Sequence, residues 1–400
     1  MMHLNRQFAQ FARFALPTLS FVLGASLAVV GCSSDDSSTN TNTNSGTDTA
    51  DAGPDTGTST VTDIRSRLAN FTPLPAPPVE STTLLSDDLI NLGRQLYFDQ
   101  RLSLYNDVSC NSCHMLDEAH YGVDFPDEPV SGGTVGPDGV VPHGTRNAPT
   151  VYNAALHLYQ FWDGRAQAVE DQALGPILNP VEMGMPDANA VISKIGPIYQ
   201  QAFNDAKAAF PIPDGQDPAT YDPMTYTNVG VAIGAYERTL LTPARWDDYL
   251  NGNDNALTSD ELVGLGKFLD NGCGGCHNGV AVGGRAFAKL GAASSASVSP
   301  DLLMDPGREG VTNDPFDMYV YKIPSLRNIE KTGPYFHDGS VGTLEEAVSL
   351  MAQYQVGKTL SDADVASIVT FLKTLTGTLP ANITAPEPLP DPSDPGGNTE

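Results

Sequence analysis

The sequence has 400 residues, of which 48 are Asp or Glu and 21 are Lys or Arg, so its formal net charge is −27. This excess of acidic residues argues against nucleic acid as a partner and would attract a basic protein partner to the surface. The alternative is that the charge serves solubility in an exported or salt-exposed protein. Without the terminal segments described below, about 300 residues remain for globular structure, which is enough for two compact domains.

The first 31 residues have the pattern of an export signal. Arg6 and Arg13 stand in a start without acidic residues, and an apolar run continues to Val30. A basic start, a short apolar stretch and a small residue before the cleavage point are typical of a secretory signal. The ending Val-Val-Gly-Cys32 resembles a bacterial lipoprotein box. We therefore predict a lipoprotein signal peptide over 1–31 with Cys32 lipidated; the alternative is an ordinary signal peptide with an incidental Cys.

Residues 33–60 are almost entirely small or polar, and none of them is aromatic. Such a composition cannot bury enough apolar surface to offset the chain entropy that folding removes. We therefore predict a flexible tether over 32–80, stiffened by the prolines of 73–78. The Pro- and Asp-rich segment 378–400 is likewise predicted to be a disordered tail. A lipid on Cys32 would hold the protein in the periplasm, on the outer membrane.

Two segments of the chain repeat one helical pattern. Ser86–Leu96 aligns without a gap with Ser259–Leu269, and each begins with a Ser that can cap a helix, followed by acidic residues. Leu residues then recur at spacings of three and four, as on the apolar stripe of a packed helix. Later helical patterns stand at about Asn228–Leu241 and Ser361–Leu375. Strand signals are few, so we predict a mainly α fold.

Two complete Cys-x-x-Cys-His motifs follow the repeated helices. They consist of Cys110, Cys113 and His114 in the first half and of Cys273, Cys276 and His277 in the second. This pattern is typical of c-type haem attachment, because both thiols reach the vinyl groups of one porphyrin and the His presents its imidazole to the iron. The alternatives are structural zinc, which needs paired motifs roughly 15–20 residues apart, and a dithiol site, which needs a βαβ pattern. We predict two tandem class I cytochrome c-like domains, 81–245 and 246–377, each with one covalently bound haem c.

Further motifs fill the two halves. They are Arg146-Asn-Ala-Pro-Thr150, Phe161-Trp-Asp-Gly-Arg165, Gln172 and Asn179-Pro-Val-Glu-Met183 in the first half, and Pro324-Ser-Leu-Arg-Asn328 and Pro334-Tyr-Phe-His-Asp-Gly339 in the second. With the two haem motifs in this order, the chain resembles the bacterial dihaem cytochrome c peroxidases from about Ser86 to Leu375.

The resemblance implies roles for the two haems. In that family the N-terminal haem reduces peroxide and the C-terminal haem receives electrons, so His114 and His277 would be the proximal ligands of the two irons. The family's second ligand on the electron-transfer haem, a Met fourteen residues after His337, falls on Met351. A His/Met pair raises the haem potential, which suits an iron that stores an electron. The alternative for Met351 is a core residue on the apolar face of a helix.

The resemblance also implies three residues with roles in catalysis. Glu182 matches the family's acid–base residue, Gln172 its companion in the peroxide pocket, and Trp162 the tryptophan between the haems. A carboxylate with a raised pKa can move a proton between the two oxygens of peroxide. The alternatives are a residue at a helix start for Glu182 and a large core aromatic for Trp162.

Metal ligation beyond the haem irons is implied at two places. The family binds calcium through a side-chain amide and backbone carbonyls, and the matching positions are Asn147, Thr332 and Pro334. Many members also place a His eight residues before the Asn of the Asn-Ala-Pro-Thr motif, where it blocks the peroxidatic iron at rest. Here that position is Gly139, so His143 is the candidate distal ligand of the peroxidatic iron, and His120 is a weaker candidate. The alternative is that His143 is an ordinary loop residue.

The predicted function is therefore that of a lipid-tethered periplasmic peroxidase. It would reduce hydrogen peroxide with electrons from a small cytochrome c or cupredoxin. Dimers are common in the family, so the resemblance also implies a homodimer. One alternative is a dihaem electron carrier without catalysis. The other is a dihaem oxidase of the methylamine-utilisation type, in which a Tyr replaces the Met ligand; Tyr354 stands three residues out of register with Met351.

Overall fold

The computed structural model describes residues 61–81, 83–123 and 132–386. The predicted signal peptide 1–31, the predicted lipid-bearing Cys32 and residues 33–60 lie outside these ranges. All described residues belong to one unit of the chain, Gly57–Glu400.

Most of the regular structure in this part of the chain is helical. The α-helices are α1 (Val61–Ser66), α2 (Asp87–Phe98), α3 (Cys110–Cys113), α4 (Val169–Leu178), α5 (Ala188–Asp205), α6 (Tyr226–Glu237), α7 (Arg245–Leu250), α8 (Ser259–Asp270), α9 (Glu309–Thr312), α10 (Leu344–Met351) and α11 (Asp362–Leu372). Two three-residue strands, β1 (Phe287–Lys289) and β2 (Val320–Lys322), pair antiparallel. The mainly α fold predicted from the sequence is confirmed.

Each half of the chain contains one closely packed pair of helices. In the first half α2 meets α6, and a Cβ added to Gly93 would lie 1.8 Å from the carbonyl oxygen of Ala232. In the second half α8 meets α11, and a Cβ added to Gly264 would lie 2.0 Å from the carbonyl oxygen of Ser367. A residue without a side chain is required at both positions, because the two backbones are in contact there.

The structure corrects the register of the predicted repeat. Ser86 caps α2, because its hydroxyl accepts a hydrogen bond from the backbone N–H of Leu89. The cap of α8 is Thr258, which forms a capping box with Glu261, and Ser259 is already the first helical residue. The gapless alignment was therefore wrong by one residue at the helix start, because Thr258 and Ser259 are both good caps in sequence.

Two hydrophobic cores divide the chain. The buried residues of the first core come from 89–240, and those of the second come from 64–71 and 244–375. A third and smaller cluster consists of Leu290, Val298, Leu302, Tyr321 and Tyr354. We call it the junction cluster, because Trp162 from the first half and Met351 from the second both pack against it.

Residues 61–80 and 378–386 contact the folded body of the protein, although the sequence predicted a tether and a tail there. Ile64, Leu68 and Phe71 are 3%, 6% and 7% exposed, and the ring of Phe71 lies 5.5 Å from that of Trp246. Downstream, the carbonyl oxygen of Thr384 accepts two hydrogen bonds from the Arg94 guanidinium. The predictions of a tether up to residue 80 and a tail from 378 were wrong there, because a few spaced apolar residues suffice to dock a polar segment.

None of the helices in the described ranges combines the length and the apolar character that crossing a membrane requires.

Candidate active site

A deep cleft lies in the first half, with about 1260 Å³ of space when its opening to solvent is counted. The predicted site residues that line it are Cys110, Cys113, His114, Asn147, Trp162, Gln172 and Glu182. They come from three separate parts of the chain: the first Cys-x-x-Cys-His motif, the insert that follows it, and α4. The fold thus brings the predicted haem attachment residues and the predicted peroxide residues to one cavity.

The first Cys-x-x-Cys-His motif is held by its own short helix. Its two cysteines are the ends of α3, and no disulfide joins them. The N–H of His114 donates to the carbonyl of Cys110 at 3.0 Å, and the Tyr97 hydroxyl donates to the carbonyl of His114 at 2.7 Å. Because both thiols and the imidazole line the cleft, they fit covalent attachment of one haem c there, with His114 toward the iron.

Glu182 lies on the turn that follows α4. The Asn179 side-chain amide donates to Glu182 Oε1 at 2.9 Å, and the N–H of Thr134 donates to the Glu182 carbonyl at 2.6 Å. Burial raises the pKa of Glu182, while the hydrogen bond from Asn179 and the charge of Arg165 oppose that shift. A carboxyl with a raised pKa exchanges protons more readily near neutral pH than an exposed one does.

Gln172, predicted to lie in the peroxide pocket, and Trp162, predicted to lie between the haems, both line the cleft. Gln172 is in α4, so it is fixed by the same helix that leads into the turn of Glu182. Trp162 Nε1 donates to the carbonyl of Asn147 at 2.9 Å, and the Trp162 carbonyl accepts from the N–H of Lys322 at 2.7 Å. Trp162 therefore lines the cleft of the first half while its backbone is bonded to β2 of the second half.

The second Cys-x-x-Cys-His motif occupies one 3₁₀ turn, Cys273–Gly275, next to α8. Cys273 packs against the second core and Cys276 is exposed. Burial lowers the pKa of His277 to about 4, against the opposing effect of backbone groups of Val282 and Pro324. His277 is therefore neutral at pH 7, which is the form of imidazole that ligates a metal.

A buried ion pair fixes the loop after this second motif. Arg327 has a fully buried side chain and donates to both oxygens of Asp247, at 3.0 and 2.7 Å. Its Nε also donates to the carbonyl of Val280, three residues beyond His277, at 2.7 Å. The loop that follows His277 is thus tied to α7 by a charged side chain with several partners.

Met351 is the last residue of α10, and a π-helical turn, Ala352–Val356, follows it. Turns of this kind are frequent at functional sites. Met351 is partly buried against the junction cluster, which also contains Tyr354. It does not line the cleft of the first half, and neither does His277.

Comparisons with known proteins show the family to which the chain is related. Residues 87–255 match the family model for di-haem cytochrome c peroxidase. The cytochrome c551 peroxidase of Nitrosomonas europaea is 41% identical over 315 residues, which cover 76% of this chain and 85% of the relative. The enzyme of the same name from Pseudomonas aeruginosa is 39% identical and covers 78% of this chain and 86% of the relative. The chain belongs to the di-haem cytochrome c peroxidase family.

A solved structure shows the same fold. The crystal structure of a MauG-like protein associated with microbial copper homeostasis is 28% identical to this chain, with a TM-score of 0.62. The match covers 78% of this chain and 95% of that protein. The predicted family is therefore confirmed, and so is a di-haem peroxidase fold.

Two of the three residues that were predicted from the resemblance to hold calcium are in contact. The side-chain amide nitrogen of Asn147 lies 2.7 Å from the carbonyl oxygen of Pro334, although 187 positions separate them. The N–H of Asn147 also donates to the carbonyl of His337 at 2.7 Å. Thr332 is half-buried on the same loop as Pro334, where its N–H reaches the carbonyl of Ile329 at 3.5 Å.

The candidate distal ligands of the family do not line the cleft. His143 is exposed and forms a β-bridge with Gly132, and its neighbours Gly132 and Gly144 are lining residues while His143 is not. His120 Nδ1 lies 2.6 Å from Asp117 Oδ1. Gly139 lies on a turn with a φ of +72°.

Several charged residues of the cleft were not predicted from the sequence to have a role. Arg146 bonds to Asp163 in the first half and to Asp305 in the second, at 2.5 Å in each case. Glu237, at the end of α6, is 3% exposed, and its pKa is raised to about 8, mainly by burial and also by Glu170. The available signal for Glu237 was one acidic residue within the apolar run Ala232-Ile-Gly-Ala-Tyr-Glu237.

Proposed function

We propose that this protein reduces hydrogen peroxide to water with electrons from a small redox protein, a cytochrome c or a cupredoxin. The observation that carries the proposal is the cleft in which Cys110, Cys113 and His114 meet Glu182 and Gln172. Membership of the di-haem peroxidase family implies two haem c groups. We assign them to Cys110 and Cys113 in an N-terminal domain, and to Cys273 and Cys276 in a C-terminal one.

The cleft residues support the proton movements of the reaction. One hydrogen peroxide, two electrons and two protons give two waters, and the bound haem would supply an iron for peroxide and a route for the electrons. The Glu182 carboxylate would take a proton from one oxygen of the peroxide and return it to the other, so that the second oxygen could leave as water. The hydrogen bond from Asn179 fixes the Glu182 carboxylate. Gln172 can orient the peroxide by hydrogen bonding from α4.

The second half would store one electron. We propose that His277 and Met351 would hold the iron there, because a Met ligand would raise the potential and keep the reduced state populated until peroxide arrives. Trp162 lies between this half and the peroxide cleft, in contact with the junction cluster that Met351 also touches. This placement supports Trp162 as a group through which electrons cross.

Two other functions are less well supported. An electron carrier without catalysis would not need a carboxyl with a raised pKa in the cleft that Cys110, Cys113 and His114 line. A dihaem oxidase would use a Tyr ligand in place of Met351. Tyr354 is 5% exposed in the junction cluster, but it is three positions out of register and its backbone carbonyl accepts from the N–H groups of Ala293 and Ser294.

Single-turnover reduction tests the proposed function. The purified protein, reduced by one electron per molecule, should consume added peroxide rapidly, and the donor-reduced protein should turn over continuously with two electrons used per peroxide. A carrier would return its electron to an external acceptor but leave peroxide unchanged. Failure of the half-reduced and the fully reduced protein to consume peroxide would exclude peroxidase activity.

We further propose that calcium binds at Asn147, Thr332 and Pro334. Rotation of the Asn147 amide would present its oxygen beside the carbonyl of Pro334, and oxygen ligands suit this ion. Removing calcium with a chelator should then loosen the junction of the two halves and lower turnover, with both effects restored by added calcium and not by magnesium. If a calorimetric titration of calcium into the chelator-treated protein showed no binding, the proposed site would be contradicted.

The location and assembly are also proposals. The basic start and the Val-Val-Gly-Cys32 ending support export to the periplasm and a lipid anchor to the outer membrane at Cys32, with homodimers as the working form. Mass spectrometry of the mature N-terminus tests the anchor, since a start at any other residue would contradict it.

A further inference from the structure

A buried basic pair joins the two halves beside Trp162. The segment 157–162 of the first half lies against the two-stranded sheet of the second half, and the Leu158 N–H donates to the carbonyl of Gly284 at 3.0 Å. Within this contact, Lys322 Nζ lies 3.2 Å from His157 Nδ1. Lys322 is 6% exposed, and its backbone N–H is the one that bonds Trp162.

This pair has no acidic partner in the described residues. Neither Lys322 nor His157 belongs to an ion pair there, although acidic residues outnumber basic ones more than two to one in the chain. The ammonium donates to His157 Nδ1, so the neutral imidazole carries its hydrogen on Nε2. His157 Nε2 is buried and has no hydrogen-bond partner among the described residues. The pair therefore offers only N–H donors to whatever lies beside it.

The charge of the pair points to an anion. Burial lowers the pKa of Lys322 to about 8, so at pH 7 its ammonium is mostly protonated and uncompensated. Burial and the nearby ammonium hold the pKa of His157 well below its ordinary value. A buried cation without a partner is strongly unfavourable, and a carboxylate with two acceptor oxygens would satisfy both the charge and the donors.

The position of the pair favours a carboxylate of the second haem. His157 packs on Gly284, seven residues beyond His277, where an added Cβ would lie 2.3 Å from His157 Cδ2. The pair thus adjoins the chain that leaves the second Cys-x-x-Cys-His motif. A haem fixed by its vinyl groups at Cys273 and Cys276 extends its two propionates away from those cysteines.

We infer that Lys322 and His157 form a carboxylate-binding site that receives a propionate of the haem attached at Cys273 and Cys276. The inference rests on the proposed haem attachment. The Lys322 ammonium would neutralise the propionate and so favour the reduced haem, next to the tryptophan through which electrons cross. His157 would position the same carboxylate through Nε2–H.

The test compares Lys322→Met and Lys322→Arg with Lys289→Met. Lys289 is the matched control, because it lies on the paired strand β1 but is exposed. Pyridine haemochrome analysis comes first, and fewer than two haems in the unaltered protein would overturn the haem attachment and this inference with it. The potential of each haem is then measured by spectroelectrochemistry, and the propionate bending bands by resonance Raman spectroscopy.

With two haems present, Lys322→Met should lower the potential of the C-terminal haem and shift one propionate band. Lys322→Arg should retain both properties, and Lys289→Met should change neither. If Lys322→Met does not fold, His157→Phe should still shift the propionate band. Unchanged potentials and bands in the variants that fold would overturn the inference. A change in the potential of the C-terminal haem on adding formate to the unaltered protein would also overturn the inference. The site would then be open to a free carboxylate and not filled by a propionate.

Discussion

Replacing Glu182 by Gln should lower peroxide turnover by about 100-fold or more, because a general acid–base group typically contributes 10²–10⁴-fold to a rate. Gln is close in shape to Glu, and its Oε1 can still accept the hydrogen bond from Asn179. It cannot carry a proton from one peroxide oxygen to the other. Steady-state turnover with a fixed electron donor measures the effect.

The same variant has a pH signature. Burial raises the pKa of Glu182, so in the unaltered protein the reactive carboxylate is lost as pH falls through that raised pKa. The rate should therefore decline on the acid side at a higher pH than an exposed Glu would cause. Glu182→Gln should lack this decline, because Gln does not titrate.

Glu118→Gln serves as the control, since Glu118 is exposed and lies in the loop after the first Cys-x-x-Cys-His motif. Its turnover should match that of the unaltered protein. Both variants should keep the absorption spectra of two haems, which separates a catalytic defect from a failure to mature. Full activity in Glu182→Gln would remove Glu182 from the proton transfer.

Replacing Met351 by His should lower the potential of the C-terminal haem by on the order of a few tenths of a volt, given that axial ligands tune haem over about 0.8 V. The thioether of Met stabilises the reduced iron, whereas a second imidazole stabilises the oxidised iron. Potentiometric titration of the two haems measures the change. The N-terminal haem should keep its potential, because Met351 does not line its cleft.

The control for this variant is Met304→His. Met304 is 81% exposed, so a His introduced there meets solvent and should leave both potentials unchanged. An unaltered potential in Met351→His would show that Met351 is a packing residue of α10. Low-temperature spectra of the unaltered protein add an independent check, since Met and Tyr ligation of the second haem differ in spin state and absorption.

Hydrogen bonds link Trp162 to the proposed calcium site through Asn147. Trp162 donates to the carbonyl of Asn147, and Asn147 in turn contacts Pro334 and His337 of the second half. The Trp162 ring lies 6.4 Å from that of His337, which stacks on Tyr321 of the junction cluster at 4.3 Å. A change at the proposed calcium site would therefore move the tryptophan as well. Because Asn147 and Trp162 both line the peroxide cleft, loss of calcium is expected to affect the cleft and electron transfer through Trp162 together.

The sequence by itself determined the features whose chemistry is local. A Cys-x-x-Cys-His motif spans five positions, so the candidate haem attachment residues could be read directly from the chain. Helix caps act over three positions, so the starts of α2 and α8 were predicted to within one residue. The roles proposed for Glu182, Gln172, Trp162 and Met351 came from the resemblance to a family, because isolated residues of these types have common structural uses.

Only the tertiary structure decided the features that depend on burial and on distant partners. The contact of Asn147 with Pro334 joins residues 187 positions apart, and the Lys322–His157 pair joins residues 165 apart. The pKa of Glu237 is raised by its surroundings, which the composition of α6 does not specify. The docking of 61–71 was missed for the same reason: whether a sparse set of apolar residues folds depends on the surface that it meets. Free energy from burial and charge pairing is set by neighbours in space, and neighbours in sequence reveal only part of it.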